Sequence, residues 1–297
     1  MTLEEWMRIS HHQMQWLEAH RNPVLDALFV VLTTLGSEVF LILFVAVGYW
    51  LFDRERFVRA AFGLILAGLL NTWLKGVFMV ARPEVSHVLA TGGYSFPSGH
   101  AQVAGALWGG LAFELRARRR WALGLFILGV LIACSRPYLG VHYPHDVFVG
   151  FFLGLAQIPL VHFAERGLAS LGREARLAVA TSAIVGLLAW VELGFAEPQR
   201  PMGVRLAGAL GGLWLGRSLP RAGLLATPRA RRPRLRLLGL GVAGLVVLWA
   251  GLKLVFSGLG WGEAHAPAFL RYGLVGAWIA WGALWVGARV IDDARSV

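Results

Sequence analysis

The sequence predicts an all-α, polytopic helix bundle embedded in a membrane, and three observations carry that prediction. Hydrophobic residues make up 57% of the 297-residue chain and charged residues only 15%, where a soluble domain carries about 25% charged residues. Apolar runs recur along the whole chain at lengths close to the roughly 20 residues that one spanning helix needs. The arginines fall in short clusters that occupy every second loop between those runs, which is the charge pattern of cytoplasmic loops.

The elements follow in order. Residues 3–22 read as an interfacial helix, because Trp6, Met7, Met14, Trp16 and Leu17 alternate with polar residues. This opening is too polar to be a cleavable apolar leader. Residues 24–35 are apolar but too short to span alone, and are expected to form a partly embedded helix that turns at Gly36. Spans are expected at 37–52, 57–80, 99–115, 121–135 and 146–164, then at 177–195, 203–219, 237–257 and 269–289. Arg205 and Arg271 each open a glycine-spaced helix, and Gly208, Gly212 and Gly216 lie four apart on one face, which permits close helix contact. The basic stretch from Arg217 to Arg236 contains Pro220, Pro228 and Pro233 and is the best internal boundary. The expected domains are an N-terminal interfacial helix at 1–23, a core at 24–165, and additional transmembrane helices at 173–297.

The formal net charge of +11 raises the question of nucleic acid. The charges sit between apolar runs with no interleaved stacking platform, so nucleic-acid binding is excluded. Arg54, Arg56 and Arg59, then Arg116 to Arg120, then Arg166, Arg173 and Arg176 mark one side. Arg217 through Arg236 and the tail arginines Arg289 and Arg295 mark it again, and this side is assigned to the cytoplasm. Loops 81–98 and 136–145 then share the opposite, extracytoplasmic face. The single cysteine, Cys134, permits no internal disulfide and is expected to be a small buried packing residue.

Polar residues at membrane depth are expensive, and three groups of them carry chemistry. Lys75 and Arg82 are seven apart at the end of an apolar run; on a helix they share a face, and Pro83 ends it. Taken alone, two such cations read as side chains snorkelling to the interface. Pro97-Ser98-Gly99-His100 opens an apolar helix. Free backbone N–H groups and the positive dipole end there favour phosphate; Ser98 can cap the helix or donate to phosphate, and Gly99 admits an anion close to the backbone. Ser135-Arg136 is followed by His142 and by Asp146 at the next helix entrance. A carboxylate on one imidazole nitrogen fixes the tautomer and strengthens the other as a nucleophile, while Arg136 can grip two phosphate oxygens. His145 beside Asp146 is expected to face the surface. His87, Tyr94 and Tyr138 read as ordinary loop residues, His162 and Lys253 as structural, and Glu38 and Glu192 as interhelical partners. No carboxylate cluster suited to magnesium accompanies the groups, so no metal or other cofactor is expected.

Together the three groups resemble the signature of the type 2 phosphatidic acid phosphatase and vanadium haloperoxidase superfamily. In this chain they read K-G-V-F-M-V-A-R-P, P-S-G-H and S-R-P-Y-L-G-V-H-Y-P-H-D, with no departure at a signature position. The resemblance covers about residues 24–165 and leaves the last four spans without an assigned role. It implies a six-helix phosphatase-like core and hydrolysis through a phosphohistidine. His142 would be the nucleophile, Asp146 its orienting carboxylate and His100 the proton donor. Lys75, Arg82, Ser98, Gly99 and Arg136 would hold the phosphoryl oxygens. The implied partners are membrane lipids and a lipid phosphate in a plasma or inner membrane. Undecaprenyl pyrophosphate, phosphatidic acid and phosphatidylglycerol phosphate are the substrate candidates. Phosphotransfer from a lipid pyrophosphate and a non-catalytic lipid-binding or translocating role are the alternatives, and a homo-oligomer is left open.

Overall fold

Among the described residues every regular element is helical, and a helix satisfies its own backbone polar groups within lipid. The computed structural model describes residues 3–89, 92–220, 223–262 and 264–291, without the side chains of residues 3–7 and 173. The side chains of Trp6, Met7 and Arg173 and the tail residue Arg295 therefore lie outside the described residues.

Helix α1 is Leu3–Ala19, α2 Pro23–Thr34, α3 Glu38–Leu51 and α4 Arg54–Phe78. Helix α5 runs from Gly99–Ala104 through a π-helical turn, Gly105–Gly109, into Gly110–Glu114. Then come α6 at Arg119–Tyr138, α7 at Pro144–Ala169, α8 at Arg173–Gly194 and α9 at Arg200–Ser218. The last two are α10 at Arg231–Gly258 and α11 at His265–Val290, each with an internal π-helical turn.

Six of these helices (α4, α6, α7, α8, α10 and α11) are long and apolar enough to cross a membrane. The pair α2–α3, bent by 53°, makes a seventh if it counts as one span. The break falls at Leu35–Ser37, where the turn at Gly36 was expected; Asn22 caps the start of α2 by accepting from the Leu25 amide at 3.0 Å. The expected spans at 99–115 and 203–219 are helical but stand apart. At a rise of about 1.5 Å per residue α5 is only about 24 Å long, short of the roughly 30 Å hydrocarbon core. Helix α9 carries Arg200, Arg205 and Arg217.

The chain forms two compact units, residues 1–41 with 66–163 and residues 42–65 with 164–297. In the second, the face of Gly208, Gly212 and Gly216 packs α9 onto α11. A Cβ on Gly208 would stand 2.3 Å from the Phe269 carbonyl oxygen, and one on Gly212 would fall 1.7 Å from that of Gly273. Tyr49 and Trp50 donate to the carbonyls of Ala280 and Ile279, each at 2.9 Å. Arg217 pairs with Glu55 at 2.9 Å and Glu165 at 2.6 Å, and Arg59 with Glu165 at 3.2 Å. Glu192 meets His265 at 3.1 Å on another helix, the interhelical role expected of it.

In the first unit, α5 and α7 cross with their backbones in contact. A Cβ on Gly105 would come 2.3 Å from the Phe151 carbonyl oxygen, and one on Gly154 would come 2.1 Å from that of Gln102. Small residues at a crossing let lipid-embedded helices approach closely. The Ser98 amide donates to the Asp146 carbonyl at 3.0 Å, so the N-termini of the two helices are joined directly. His162 is tied to Glu114 at 2.9 Å farther along the same pair. Cys134, expected inside, is exposed on α6: an apolar run in a membrane bundle need not face protein, so its neighbours' hydropathy does not bury it.

Candidate active site

The loop before α7 delivers His142, and the first turn of α7 delivers Asp146. Their side chains are 2% and 0% exposed, with His142 Nδ1 3.5 Å from Asp146 Oδ2. On the other side of the ring, Arg82 Nη1 lies 3.4 Å from His142 Nε2. A guanidinium can only donate, so the nitrogen facing it carries the lone pair and Nδ1 carries the proton. Burial, aided by the fields of Lys75, Arg82 and Arg136 and opposed by the Asp146 bond, holds the His142 pKa down to about 3. The ring is therefore neutral near pH 7, with its Nε2 lone pair turned toward Arg82.

Three cations surround that lone pair. Lys75, in the last turn of α4, donates to the Tyr94 carbonyl at 2.7 Å. Arg136, in the last turn of α6, bonds Thr33 Oγ1, and its buried Nε has no hydrogen bond. Arg82 bonds the carbonyls of Val141 at 2.6 Å and Gly92 at 2.9 Å, and burial lowers its pKa. The expectation that Lys75 and Arg82 share a helical face is wrong. The helix stops at Phe78, Met79 takes a left-handed φ of 49°, and Arg82 reaches the site along an irregular loop. The strain in Met79 and the avoidance of α geometry before Pro83 both oppose a longer helix.

The N-terminus of α5 completes the cluster. Ser98 is fully buried at the N-cap position, yet its side chain makes no capping bond and its Oγ has no hydrogen-bond partner. Of the two uses expected for Ser98, the geometry leaves the hydroxyl available to a ligand. Gly99 faces Asn71, whose Nδ2 holds the Pro97 carbonyl and Gln102 Oε1 at 3.0 Å each. His100 lies against the break in the bent pair: a Cβ on Gly36 would come 2.8 Å from its Cδ2. The fields of Arg136, His142, Lys75 and Arg82 all reach His100. Buried cations, an unsatisfied hydroxyl and an unsatisfied guanidinium nitrogen around a neutral imidazole are an arrangement that can hold an anion beside a potential nucleophile. Among the described residues no group of three or more His, Cys, Asp or Glu is placed to hold a metal ion.

All eight residues singled out from the sequence thus lie in one unit and in one neighbourhood. Others were missed. Ser95, fully buried, donates to Asp146 Oδ2 and stands 3.3 Å from His142 Nδ1. The Tyr143 amide also donates to Oδ2, at 2.9 Å. Thr33, Asn71 and Gly36 support the site from α2, α4 and the bend. A serine in a loop and a glycine at a break carry no signal by type; only their positions relative to distant residues matter. His145, expected at the surface, has a side chain only 15% exposed and lies 3.2 Å from Asp146 Oδ1. Its ring stacks on Tyr143 and packs under α1, which removes it from solvent. Tyr138 is structural, its hydroxyl accepting from the Asn22 amide at 3.3 Å, and His87 bonds the Pro83 carbonyl at 3.0 Å.

A family model described as the PAP2 superfamily matches residues 56–166. A second, described as the transmembrane extension of PAP2 superfamily phosphatases, matches residues 204–292. Phosphatidylglycerophosphatase B of Bacillus subtilis (strain 168) is 31% identical over 153 residues, which are 48% of this chain and 75% of that protein. Undecaprenyl-diphosphatase BcrC of the same organism is 32% identical over 139 residues, 43% of this chain and 69% of that protein. The fold is similar to a crystal structure of a transmembrane PAP2 type phosphatidylglycerolphosphate phosphatase from Bacillus subtilis. That likeness has a TM-score of 0.50 and 24% identity, and covers 55% of this chain and 87% of the other.

Proposed function

Given that this chain belongs to the PAP2 superfamily and is a membrane hydrolase of lipid phosphates, we propose that it works through a phosphohistidine on His142. The observation that carries this reading is the polarity of the His142 ring, with Nδ1 toward Asp146 and Ser95 and Nε2 toward Arg82. The Nε2 lone pair attacks phosphorus, the N–P bond forms, and the P–O bond to the lipid breaks. His100 gives a proton to the departing oxygen. Water then attacks phosphorus while His100 takes a proton from it, the N–P bond breaks, and free phosphate leaves with His142 restored.

Lys75, Arg82, Arg136, the Ser98 hydroxyl and the backbone at Gly99 hold the phosphoryl oxygens. Phosphoryl transfer asks chiefly for positioning and charge, and three cations supply the charge without a metal ion. Lys75, Arg82 and Arg136 bond carbonyls, a hydroxyl and, from Arg82, the Nε2 of His142, contacts that a phosphoryl group can replace. Burial first, and then the cationic field, disfavours a charged His100 ring; the charge of a bound phosphate offsets the field and so favours the protonated ring that the first step needs.

The site faces away from the cytoplasm in this reading, on a plasma or inner membrane, and the alternating arginine clusters support that orientation. An outward site suits undecaprenyl pyrophosphate, with phosphatidylglycerol phosphate and phosphatidic acid next. Both kinds of named relative, an undecaprenyl-diphosphatase and a phosphatidylglycerophosphatase, fit that choice.

Purified protein in detergent, given the three lipids with EDTA present, is expected to release phosphate, fastest from undecaprenyl pyrophosphate, while folded His142→Ala releases none. Release by His142→Ala at the wild-type rate removes the phosphohistidine. The sidedness is tested separately. A Glu84→Cys variant in a Cys134→Ala background is expected to react with an impermeant thiol reagent from outside the cell, and labelling only from the cytoplasm inverts the topology.

A further inference from the structure

Asp146 has two oxygens, and the mechanism above uses one. Oδ2 receives the Ser95 hydroxyl and the Tyr143 amide and faces His142. Oδ1 is buried and has no hydrogen bond, although His145 Nε2 stands 3.2 Å away. That approach is within ion-pair range but off line for a hydrogen bond. A buried carboxylate oxygen without a donor loses its water and gains nothing in return, so the group that can reach it bears on the orientation of the whole carboxylate.

His145 is itself held on its far side. Its Nδ1 lies 3.3 Å from Ser10 Oγ on α1, and Ser10 is only 4% exposed. The ring stacks on Tyr143 with centroids 5.2 Å apart and planes 8° from parallel. Tyr143 in turn meets His11 of α1, ring edge to ring face at 5.5 Å. Just beyond this helix Arg21 donates to the Tyr138 carbonyl at the end of α6, at 3.0 Å, and within it Glu18 accepts from the Ser86 amide of the loop that carries Arg82, at 2.9 Å. If the Ser10 hydroxyl donates to Nδ1, the proton of the neutral ring sits on Nε2, the nitrogen that faces Asp146. A small rotation of the ring then completes an N–H···O bond to Oδ1.

We propose that His145 is a positioning residue for the phosphoryl-transfer step, and that α1 acts on the chemistry through it. The order is Ser10 to His145, His145 to Asp146 Oδ1, and Asp146 Oδ2 to the Nδ1 proton of His142. With both oxygens engaged, the carboxylate cannot swing away as positive charge builds on His142 during attack. Two imidazoles then share one carboxylate, one reacting and one fixing it, and an interfacial helix becomes part of the nucleophile's support. This inference rests on the reading of His142 as the nucleophile.

The test is steady-state hydrolysis of dioctanoyl phosphatidic acid in detergent micelles, with equilibrium binding of orthovanadate as a second readout that needs no lipid. His145→Ala is expected to lower kcat about tenfold with KM unchanged, the scale of losing one hydrogen bond to a buried charge. It is expected to weaken orthovanadate binding by a similar factor. His145→Gln, which keeps an N–H donor in reach of Oδ1, is expected to recover most of the loss. Ser10→Ala is expected to give about a threefold loss in the wild type and none on the His145→Ala background, the mark of one chain of contacts. Thermal unfolding of each variant separates lost fold from lost chemistry. Wild-type kcat and orthovanadate affinity in folded His145→Ala overturn the proposal, and so does a His145→Gln variant no better than alanine. If His142→Ala retains activity, it is the phosphohistidine reading that fails, a different and separately visible result.

Discussion

Gly150 sits on α7 one turn beyond Asp146, where the backbone of α5 passes against it. An added Cβ would stand 2.5 Å from the Ser98 carbonyl oxygen and 3.3 Å from the Ser98 amide nitrogen. Ordinary contact begins near 3.4 Å, and the obstructing atoms belong to backbone, so no side chain can turn aside. Gly150→Ala must therefore move Ser98, Gly99 and His100 by about 0.9 Å relative to His142 and Asp146, or strain both helices. A displacement near 1 Å at a reacting centre costs about a hundredfold in rate. Overpacking of this kind costs about 1–3 kcal/mol in stability. The assay is kcat for lipid phosphate hydrolysis together with thermal unfolding in detergent. Gly124→Ala, whose Cβ meets nothing within 4 Å, is the control and should keep both. A folded Gly150→Ala enzyme with wild-type kcat would refute the claim that the α5–α7 contact sets the distance between the proton donor and the nucleophile.

Three other outcomes follow from the same geometry. Ser95→Ala removes a hydroxyl that Asp146 and His142 share, and should lower kcat about tenfold with the fold intact; an unchanged rate would make Ser95 a packing residue only. Burial depresses the His142 pKa from an ordinary value near 6.5 to about 3, so at pH 5, where exposed histidines are protonated, this ring should still be neutral. The ¹⁵N spectrum of histidine-labelled protein, with His142 assigned by its loss in His142→Gln, checks this, and protonation with a midpoint near 6.5 contradicts it. Exhaustive dialysis against EDTA should leave the hydrolysis rate unchanged, because Lys75, Arg82 and Arg136 supply the positive charge; a loss restored by magnesium would require a metal ion in the reaction.

The helices were legible because lipid imposes a length and a charge rule on every span. The runs read at 121–135 and 146–164 became Arg119–Tyr138 and Pro144–Ala169, longer at both ends because polar end residues stay helical beyond the apolar run. The eight candidate residues could be singled out because three polar groups at membrane depth, each with a structural use alone, together match one family signature. What failed was local geometry. Lys75 and Arg82 were placed on one helical face, but a left-handed Met79 ends the helix and a loop brings Arg82 round. Cys134 was placed inside by its residue type, and His145 outside by its neighbour's spacing. Burial in a membrane bundle depends on which face meets another helix, and hydropathy is silent on faces when lipid is as apolar as the core. Ser95, Thr33, Asn71 and Gly36 were invisible for a related reason. Each acts through a partner far along the chain, such as Arg136 for Thr33 and His100 for Gly36.

The central claim is that His142 carries the phosphoryl group. Rapid quenching of wild-type protein mixed with lipid labelled with ³²P in its phosphate tests it most directly. The account predicts protein-bound label that survives base and is lost in acid, as a phosphoramidate does, and no label on His142→Ala. Label that persists on His142→Ala, or hydrolysis by wild type at full rate with no label at any time, would contradict it.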